Sequence, residues 1–438
     1  MRRFIENQLF KWKSREKRKP LVLMGARQVG KTWLMRDFGT NNFRRAHEFN
    51  FDGNEDLASI FKSTKRPLEL LPKLSSISGS KIDIDADLVI FDEVQECSDA
   101  FNALKYFKED CPKLAVMAAG SLLGVKIGKH RREREQPRSF PVGMVELMDV
   151  EPLSFGEYLA ARSPALHEFW TSVSGHEPLD EIFHRKLLDA YDEYLIVGGL
   201  PECVDAYLRN GDIEELETIQ RNLLELYEND VVKHNGSIDA GKILVVLRSL
   251  VPQLAKDNSK FVYGVAKEGA RARDYEAAIE WLVSARMVRR IHNLSEMKYP
   301  LKAYEIRNAF KLYHLDVGLL RVMAEVKSRS ITLNEDFPFK GRLVENYVLQ
   351  QLHNRADGPL RYWSENGEKE IDYVVQHDTD VIPVEVKSGE DRRATTFKNY
   401  VNAYHPKFAI RFSRRNLRQD GAFVNIPLYL AERYEACL

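Results

Sequence analysis

The chain has 438 residues, enough for roughly two to four domains that each bury a core. Lys plus Arg equals Asp plus Glu at 65 each, which excludes bulk charge as the basis of any partnership and confines a nucleic-acid surface to a local patch. The four cysteines, Cys97, Cys111, Cys203 and Cys437, lie far apart without a C-x-x-C pair, excluding a disulfide scaffold and a thiolate zinc site. No apolar run reaches the ~18 residues of a membrane span, and the basic N-terminus lacks a signal-peptide core, so a cytoplasmic protein without a membrane is expected.

The first twenty residues carry Arg2, Arg3, Lys11, Lys13, Arg15, Lys17, Arg18 and Lys19, read either as a solvated helix face or as a nucleic-acid contact. Leu21 to Met24 is an apolar strand, and Trp33 to Phe38 is helix-compatible. Between them Gly25-Ala26-Arg27-Gln28-Val29-Gly30-Lys31-Thr32 matches G-x-x-x-x-G-K-[ST] at every fixed position. Strand, glycine loop and helix in this order form a phosphate cradle: backbone N–H groups curl around ATP phosphates, Lys31 reaches the β/γ-phosphates, and the Thr32 hydroxyl ligates Mg²⁺.

Ala46 to Phe51 reads as a second strand and Leu57 to Leu74 as helix broken at Pro67. Leu88-Val89-Ile90-Phe91-Asp92-Glu93 is a buried parallel strand ending in carboxylates, the Walker B arrangement. There Asp92 serves Mg²⁺ and Glu93 polarises the attacking water. Leu114 to Ala119 is a third apolar strand ending in Gly120-Ser121, where Ser121 is either a γ-phosphate sensor or ordinary loop chemistry. Lys126, Lys129, Arg131, Arg132, Arg134 and Arg138 then cluster, as a surface loop or as the source of an arginine finger for a neighbouring subunit.

Walker A, the Asp-Glu Walker B, the Gly-Ser strand end and Pro152-Leu153-Ser154-Phe155-Gly156-Glu157 together resemble the AAA-type ATPases of bacteria and archaea that carry a C-terminal nuclease-like domain of unknown function. The resemblance covers nearly the whole chain and implies ATP and Mg²⁺ as cofactors and a homo-oligomer. Those relatives typically have Gly-Arg where this chain has Gly143-Met144, so no finger arginine carries over.

Phe155 to Val232 turns helical, punctuated by Gly198-Gly199-Leu200-Pro201-Glu202, a segment similar to one in the helical lid of the same family and read chiefly as an inter-helix loop. Ile243 to Leu254, Tyr263 to Gly269 and Tyr275 to Val283 read as three helices before strands Met287 to His292 and Phe310 to Leu315, which predicts a winged helix-turn-helix. Asp274, Glu276 and Glu280 on its third helix carry the wrong sign for DNA, partly offset by Arg271 and Arg273.

Gly341 to Asn346 opens an amphipathic helix, Glu370 to Val375 is an alternating strand, and Pro383-Val384-Glu385-Val386-Lys387-Ser388-Gly389 is another. This order resembles the PD-(D/E)xK restriction-endonuclease-like core. Period-2 alternation puts Glu385 and Lys387 on one face, and Glu370 and Asp372 on one face. Glu345, Asp372 and Glu385 are then metal ligands, and Lys387 orients the nucleophile.

The expected fold class is α/β: a P-loop AAA-type parallel sheet with a helical lid, then a winged helix and a restriction-endonuclease-like α/β domain. The expected boundaries are 1–153 for the ATPase core, 154–238 for the lid, 239–333 for the winged helix and 334–438 for the nuclease-like domain. The expected function is ATP hydrolysis coupled to binding or processing of DNA, branched forms included, with metal-dependent cleavage as a further activity. Two alternatives stand beside it: a nucleotide-gated regulatory or scaffolding protein whose last domain only binds a partner, and a protein-remodelling ATPase.

Overall fold

The computed structural model describes residues 1–120, 123–125, 143–235, 238–256, 260–353, 358–365, 369–389 and 395–438. Two compact units result. One comprises Arg3–Glu151 with Ser284–Arg286, and the other Met1–Arg2, Pro152–Val283 and Met287–Leu438.

In the first unit α1 (Glu6–Lys13) precedes a sheet of β1 (Leu21–Met24), β2 (Ala46–Asn50), β3 (Leu88–Asp92), β4 (Ala115–Ala119) and β5 (Glu146–Asp149). The strand order is β2-β3-β4-β1-β5, and every pairing is parallel. Parallel neighbours need crossovers. Helices α2 (Lys31–Asn42), α3 (Glu55–Ser63), α4 (Pro67–Ser78) and α5 (Ser98–Asp110) supply them. Strands β1, β3 and β4 are buried along their whole length, as their unbroken apolar runs require. Pro67 takes the first turn of α4, where its missing N–H leaves no bond unmade, so 57–74 is two helices.

Phe91 is the hub of this core. Its ring lies 5.5 Å from Phe61, 5.7 Å from Phe107, 5.8 Å from Phe51 and 6.1 Å from Phe49. Edge-to-face contacts of this kind each add about 0.5–1.5 kcal/mol beyond area burial. They fix the strand that carries Asp92.

The second unit opens with helices Phe155–Arg162, Pro164–Ser172, Glu181–Val197, Pro201–Asn210 and Ile213–His234. Ser154 and Glu157 form a reciprocal capping box that starts the first of them. The Gly199 N–H donates to Asp316 at 2.7 Å, and the same carboxylate caps helix Val317–Met323 at Leu319 N (3.1 Å) and accepts from Gln350 (3.2 Å). The Gly-Gly-x-Pro-Glu segment is thus pinned as a structural joint.

Helices Ala240–Arg248, Leu250–Leu254, Tyr263–Ala266 and Ala272–Ser284 lead to β6 (Val288–Leu294) and β7 (Glu305–His314). This antiparallel hairpin, expected as a wing, joins a larger sheet because β6 pairs in parallel with β8 (Arg361–Glu365). Beyond β8 come β9 (Lys369–His377), β10 (Asp380–Val386), β11 (Ala409–Ser413), β12 (Arg418–Asp420) and β13 (Phe423–Pro427), in the order β12-β13-β11-β10-β9-β8-β6-β7. Glu280 faces the hairpin and is neutralised by Arg290 at 2.6 Å, so it is not presented to a phosphate backbone.

Helix Lys340–His353 precedes an antiparallel β8-β9-β10 meander, and helix Thr395–Tyr404 crosses over to β11, parallel to β10. The first of these helices was expected to be amphipathic. It is buried from Leu343 to Leu352, and its polar residues serve neighbouring backbone: Asn346 accepts from His314 N (2.9 Å), Gln350 from Val317 N (3.1 Å) and Gln351 from Phe155 N (2.8 Å). Paired inside, these amides bear a burial that hydropathy alone forbids.

Candidate active site

Gly30 sits in the left-handed region (φ 90°) and starts α2, so Lys31 and Thr32 are the first helical residues, with the unpaired N–H groups of the helix beside them. Lys31 is buried, and its ammonium donates to Gly25 O (3.0 Å) and Ala26 O (2.7 Å). Desolvation lowers its pKa to about 8 from 10.5; Glu93 and Asp92 oppose the shift, while Arg27 and Arg286 add to it. Ala26 and Val29 are buried, and Gln28 takes a left-handed conformation (φ 64°), which turns the loop.

The Thr32 hydroxyl donates to Asp92 Oδ2 at 2.8 Å, joining the two nucleotide motifs. Burial pushes the Asp92 carboxyl up, and the Thr32 bond pulls the other way. Glu93, just past β3, is held at φ 48°, and the Gln95 side-chain amide donates to its carboxylate. A non-glycine residue in this region is unusual and costs free energy, as functional positions often do. The chemistry fits a nucleotide with its metal: a helix N-terminus and a lysine for phosphates, and adjacent hydroxyl and carboxylate oxygens for Mg²⁺. Ser121 and the arginines Arg131, Arg132, Arg134 and Arg138 lie outside the described residues.

In the second unit Glu345, on helix Lys340–His353, accepts from Arg342 (2.7 Å) and Tyr313 OH (3.2 Å). Asp372 on β9 accepts the Val386 N–H at 2.7 Å. Desolvation and then the charges of Glu385, Glu345 and Glu370 hold the Asp372 carboxyl well above the usual range, against the pull of Lys311. Glu385 on β10 is also pushed up by burial, with Lys387 opposing. The Lys387 ammonium, one residue past β10, lies 2.5 Å from Glu385 Oε1. Burial disfavours that ammonium, but the bond to Glu385 raises its pKa overall.

The structure thus brings Glu345, Asp372, Glu385 and Lys387 into one electrostatic neighbourhood. Lys311 of β7 joins them: fully buried, it pairs with Glu370 and lies 4.7 Å over the Tyr362 ring. Among the described residues no group of three or more His, Cys, Asp or Glu stands in an arrangement that could hold a metal ion. Hard oxygen donors and the crowding felt at Asp372 suit a divalent cation, while Lys387, Lys311 and Arg342 already meet these carboxylates.

Residues 17–159 match a family model described as an AAA domain. The first unit is an AAA-type P-loop ATPase domain. Residues 188–330 and 340–430 match two further models, each described as a domain of unknown function (DUF8612 and DUF4143). A search of curated proteins returned no match. Among solved structures, the Walker-type ATPase Paby2304 of Pyrococcus abyssi is similar at 17% identity and a TM-score of 0.47, over 73% of this chain and 95% of that one. PCH-2 of C. elegans is similar at 12% identity and a TM-score of 0.23, over 46% and 61%. With TM-scores below 0.5, neither bears on function.

Several residues of the AAA domain site escaped sequence reasoning. Arg3, expected within a basic run, is buried and donates to Val29 O (3.0 Å) and Glu151 O (2.7 Å), bracing the P-loop from behind. Arg15 is paired with Glu146 at 2.6 Å, so the run is not a uniformly free cationic face. Gln95 stands two positions after Glu93 and was the most findable. Arg286 and its partner Asp149 carried no local signal. Among the described residues no helix is long and apolar enough to cross a membrane.

Proposed function

We propose that this protein binds and hydrolyses ATP at the P-loop of its AAA domain and couples the cycle to the binding or processing of DNA through its C-terminal domain. The Thr32–Asp92 bond beside Lys31 and Glu93 carries the first half of the reading. Lys31 neutralises the β/γ-phosphates, and Glu93 takes the proton of the attacking water while its oxygen bonds to the γ-phosphorus and ADP departs. Mg²⁺, held by Thr32 and Asp92, supplies charge stabilisation when bound. Gln95 holds the Glu93 carboxylate until water and nucleotide are in place.

Support for the second half is the meeting of Glu345, Asp372, Glu385 and Lys387 on a helix, meander, helix and parallel strand, the resemblance to PD-(D/E)xK nucleases. In this reading the three carboxylates hold a divalent ion and Lys387 orients the water that attacks a scissile phosphate. The test is cleavage of linear, single-stranded and branched DNA by the full chain with Mg²⁺ or Mn²⁺, together with DNA stimulation of ATP turnover. Both activities are expected, and Asp372→Ala should lose cutting while keeping turnover. Absence of DNA binding at low salt sinks the reading.

The second reading, a nucleotide-gated module that binds a partner and cuts nothing, is favoured by the cations already meeting these carboxylates. It predicts DNA-indifferent turnover. Assembly is a further part of the proposal: ATP-dependent homo-oligomerisation with a finger from Arg131, Arg132, Arg134 or Arg138. Unchanged turnover with alanine at all four removes that part.

A further inference from the structure

Ser284–Arg286 is a short stretch, remote in sequence from both nucleotide motifs, that packs with the AAA domain. It is tightly seated: a Cβ on Gly124 would stand 2.1 Å from Ser284 O. Arg286 itself occupies the left-handed region (φ 59°), an uncommon conformation for a residue with a side chain, and one that costs free energy. Its guanidinium lies 2.5 Å from Asp149 Oδ1, while its Nε is buried with no hydrogen-bond partner among the described residues. The Asp149 side chain is 48% exposed, and an ion pair so open to water contributes little stability. The pair alone therefore does not explain why the backbone is held in this conformation.

Its position does. Asp149 ends β5 and stands opposite Met24, the residue before the P-loop, and the Val150 N–H donates to Met24 O at 2.7 Å. Ligands of open parallel sheets sit at the carboxyl ends of the strands, and here β1 and β5 end together at the loop that holds Lys31. Arg286 is near enough for its charge to be felt at the Lys31 ammonium. Two cations brought together beside a backbone anion cradle suit a polyanion, since each repels the other until phosphate charge arrives.

We propose that Arg286 is a phosphate-binding residue of the nucleotide site, acting from the same chain: when a nucleotide occupies the P-loop, the guanidinium leaves Asp149 and binds the β/γ-phosphate end. Arg286 thus adds to the P-loop reading and depends on it. Because Met287 and β6 follow directly in the chain, a change at Arg286 is passed covalently into the strand that opens the second sheet.

The test is equilibrium binding of fluorescent ATP, ADP and AMP analogues to the full chain, with the melting temperature of the nucleotide-free protein measured alongside. Arg286→Ala should weaken ATP binding about tenfold or more, the loss expected for one charged hydrogen bond, and leave AMP binding unchanged. Arg286→Lys should recover part of it. Asp149→Asn, which releases the arginine, should bind ATP at least as tightly as wild type. Unchanged ATP affinity in Arg286→Ala overturns the proposal. Equal weakening in Asp149→Asn overturns it too, because the pair then acts only as a brace. Should Arg286→Ala fail to fold, Arg286→Lys and Asp149→Asn decide alone by the same criteria. Lys31→Ala is the separate control: if wild type and Lys31→Ala bind ATP alike, the P-loop reading itself has failed, whatever Arg286 does.

Discussion

The Thr32 hydroxyl donates to Asp92 Oδ2 across 2.8 Å, although sixty positions separate them (|i−j| = 60). One oxygen comes from the first turn of α2 and the other from the end of β3. Thr32→Ala should therefore weaken Mg²⁺-dependent ATP binding by roughly 10–100-fold and spare binding in chelator. Calorimetry with and without Mg²⁺ checks this; equal loss in both conditions would mean the hydroxyl serves the fold and not the metal.

Lys31 should make nucleotide affinity fall at alkaline pH. Its pKa in the nucleotide-free protein is about 8, below the ordinary 10.5, so above pH 8 binding must first restore a proton. Each further pH unit then costs about 1.4 kcal/mol, or tenfold in affinity, until the pKa of the bound state is reached. The effect on stability has the opposite sense. Between pH 8 and 10.5 the unfolded chain holds the proton more tightly than the native one, so this group's contribution to stability rises with pH. Titration of ATP affinity from pH 7 to 10 checks the first point, and Lys31→Ala should be flat.

Glu93 and Gln95 should separate binding from chemistry. Glu93→Gln is expected to bind ATP normally and to turn over about two orders of magnitude more slowly, the usual loss for a general base. Gln95→Leu removes the amide that holds the Glu93 carboxylate and should change turnover by less, with ATP affinity unaltered. Wild-type turnover in Glu93→Gln removes that residue from the mechanism.

Phe91→Ala should cost about 3–5 kcal/mol of stability, since a buried ring with four aromatic neighbours leaves a cavity the sheet cannot close. Denaturant unfolding measures it. A loss below ~1 kcal/mol would mean the neighbouring rings refill the space.

Asp372→Asn should stabilise the protein while abolishing metal binding and cutting. The carboxyl sits well above the usual range through desolvation and the charges of Glu385, Glu345 and Glu370. Its folded pKa thus exceeds its unfolded one, so native stability is lost as pH rises from the unfolded value, ~3.9, through the folded one. Asparagine keeps an oxygen for the Val386 N–H and removes the charge. A higher melting temperature at pH 7, together with loss of Mn²⁺ binding by calorimetry, is expected. A lower melting temperature would show that the ionised carboxylate is a net asset to the fold.

Much of the nucleotide site was legible because its information is local. Gly30, Lys31 and Thr32 work through loop backbone and a helix start, and Asp92 and Glu93 through the end of an apolar strand, so contiguous residues carry the whole signal. Period-2 alternation likewise put Glu385 and Lys387 on one face, and the structure joins them at 2.5 Å. Tertiary structure decided everything that depends on which surfaces meet. The hairpin β6–β7 reads the same whether it ends free or pairs with β8, because alternation specifies a strand's faces and not its neighbour. Asn346, Gln350 and Gln351 look solvent-facing by composition, yet each is buried because a backbone donor from a distant segment reaches it. Arg3, Lys311 and Arg286 are three ordinary cations in the chain. Only folding carries Arg3 to the P-loop carbonyl, Lys311 to Glu370 and Arg286 to Asp149, since an ion pair or side-chain hydrogen bond forms wherever the backbone places its partners, at any separation in sequence.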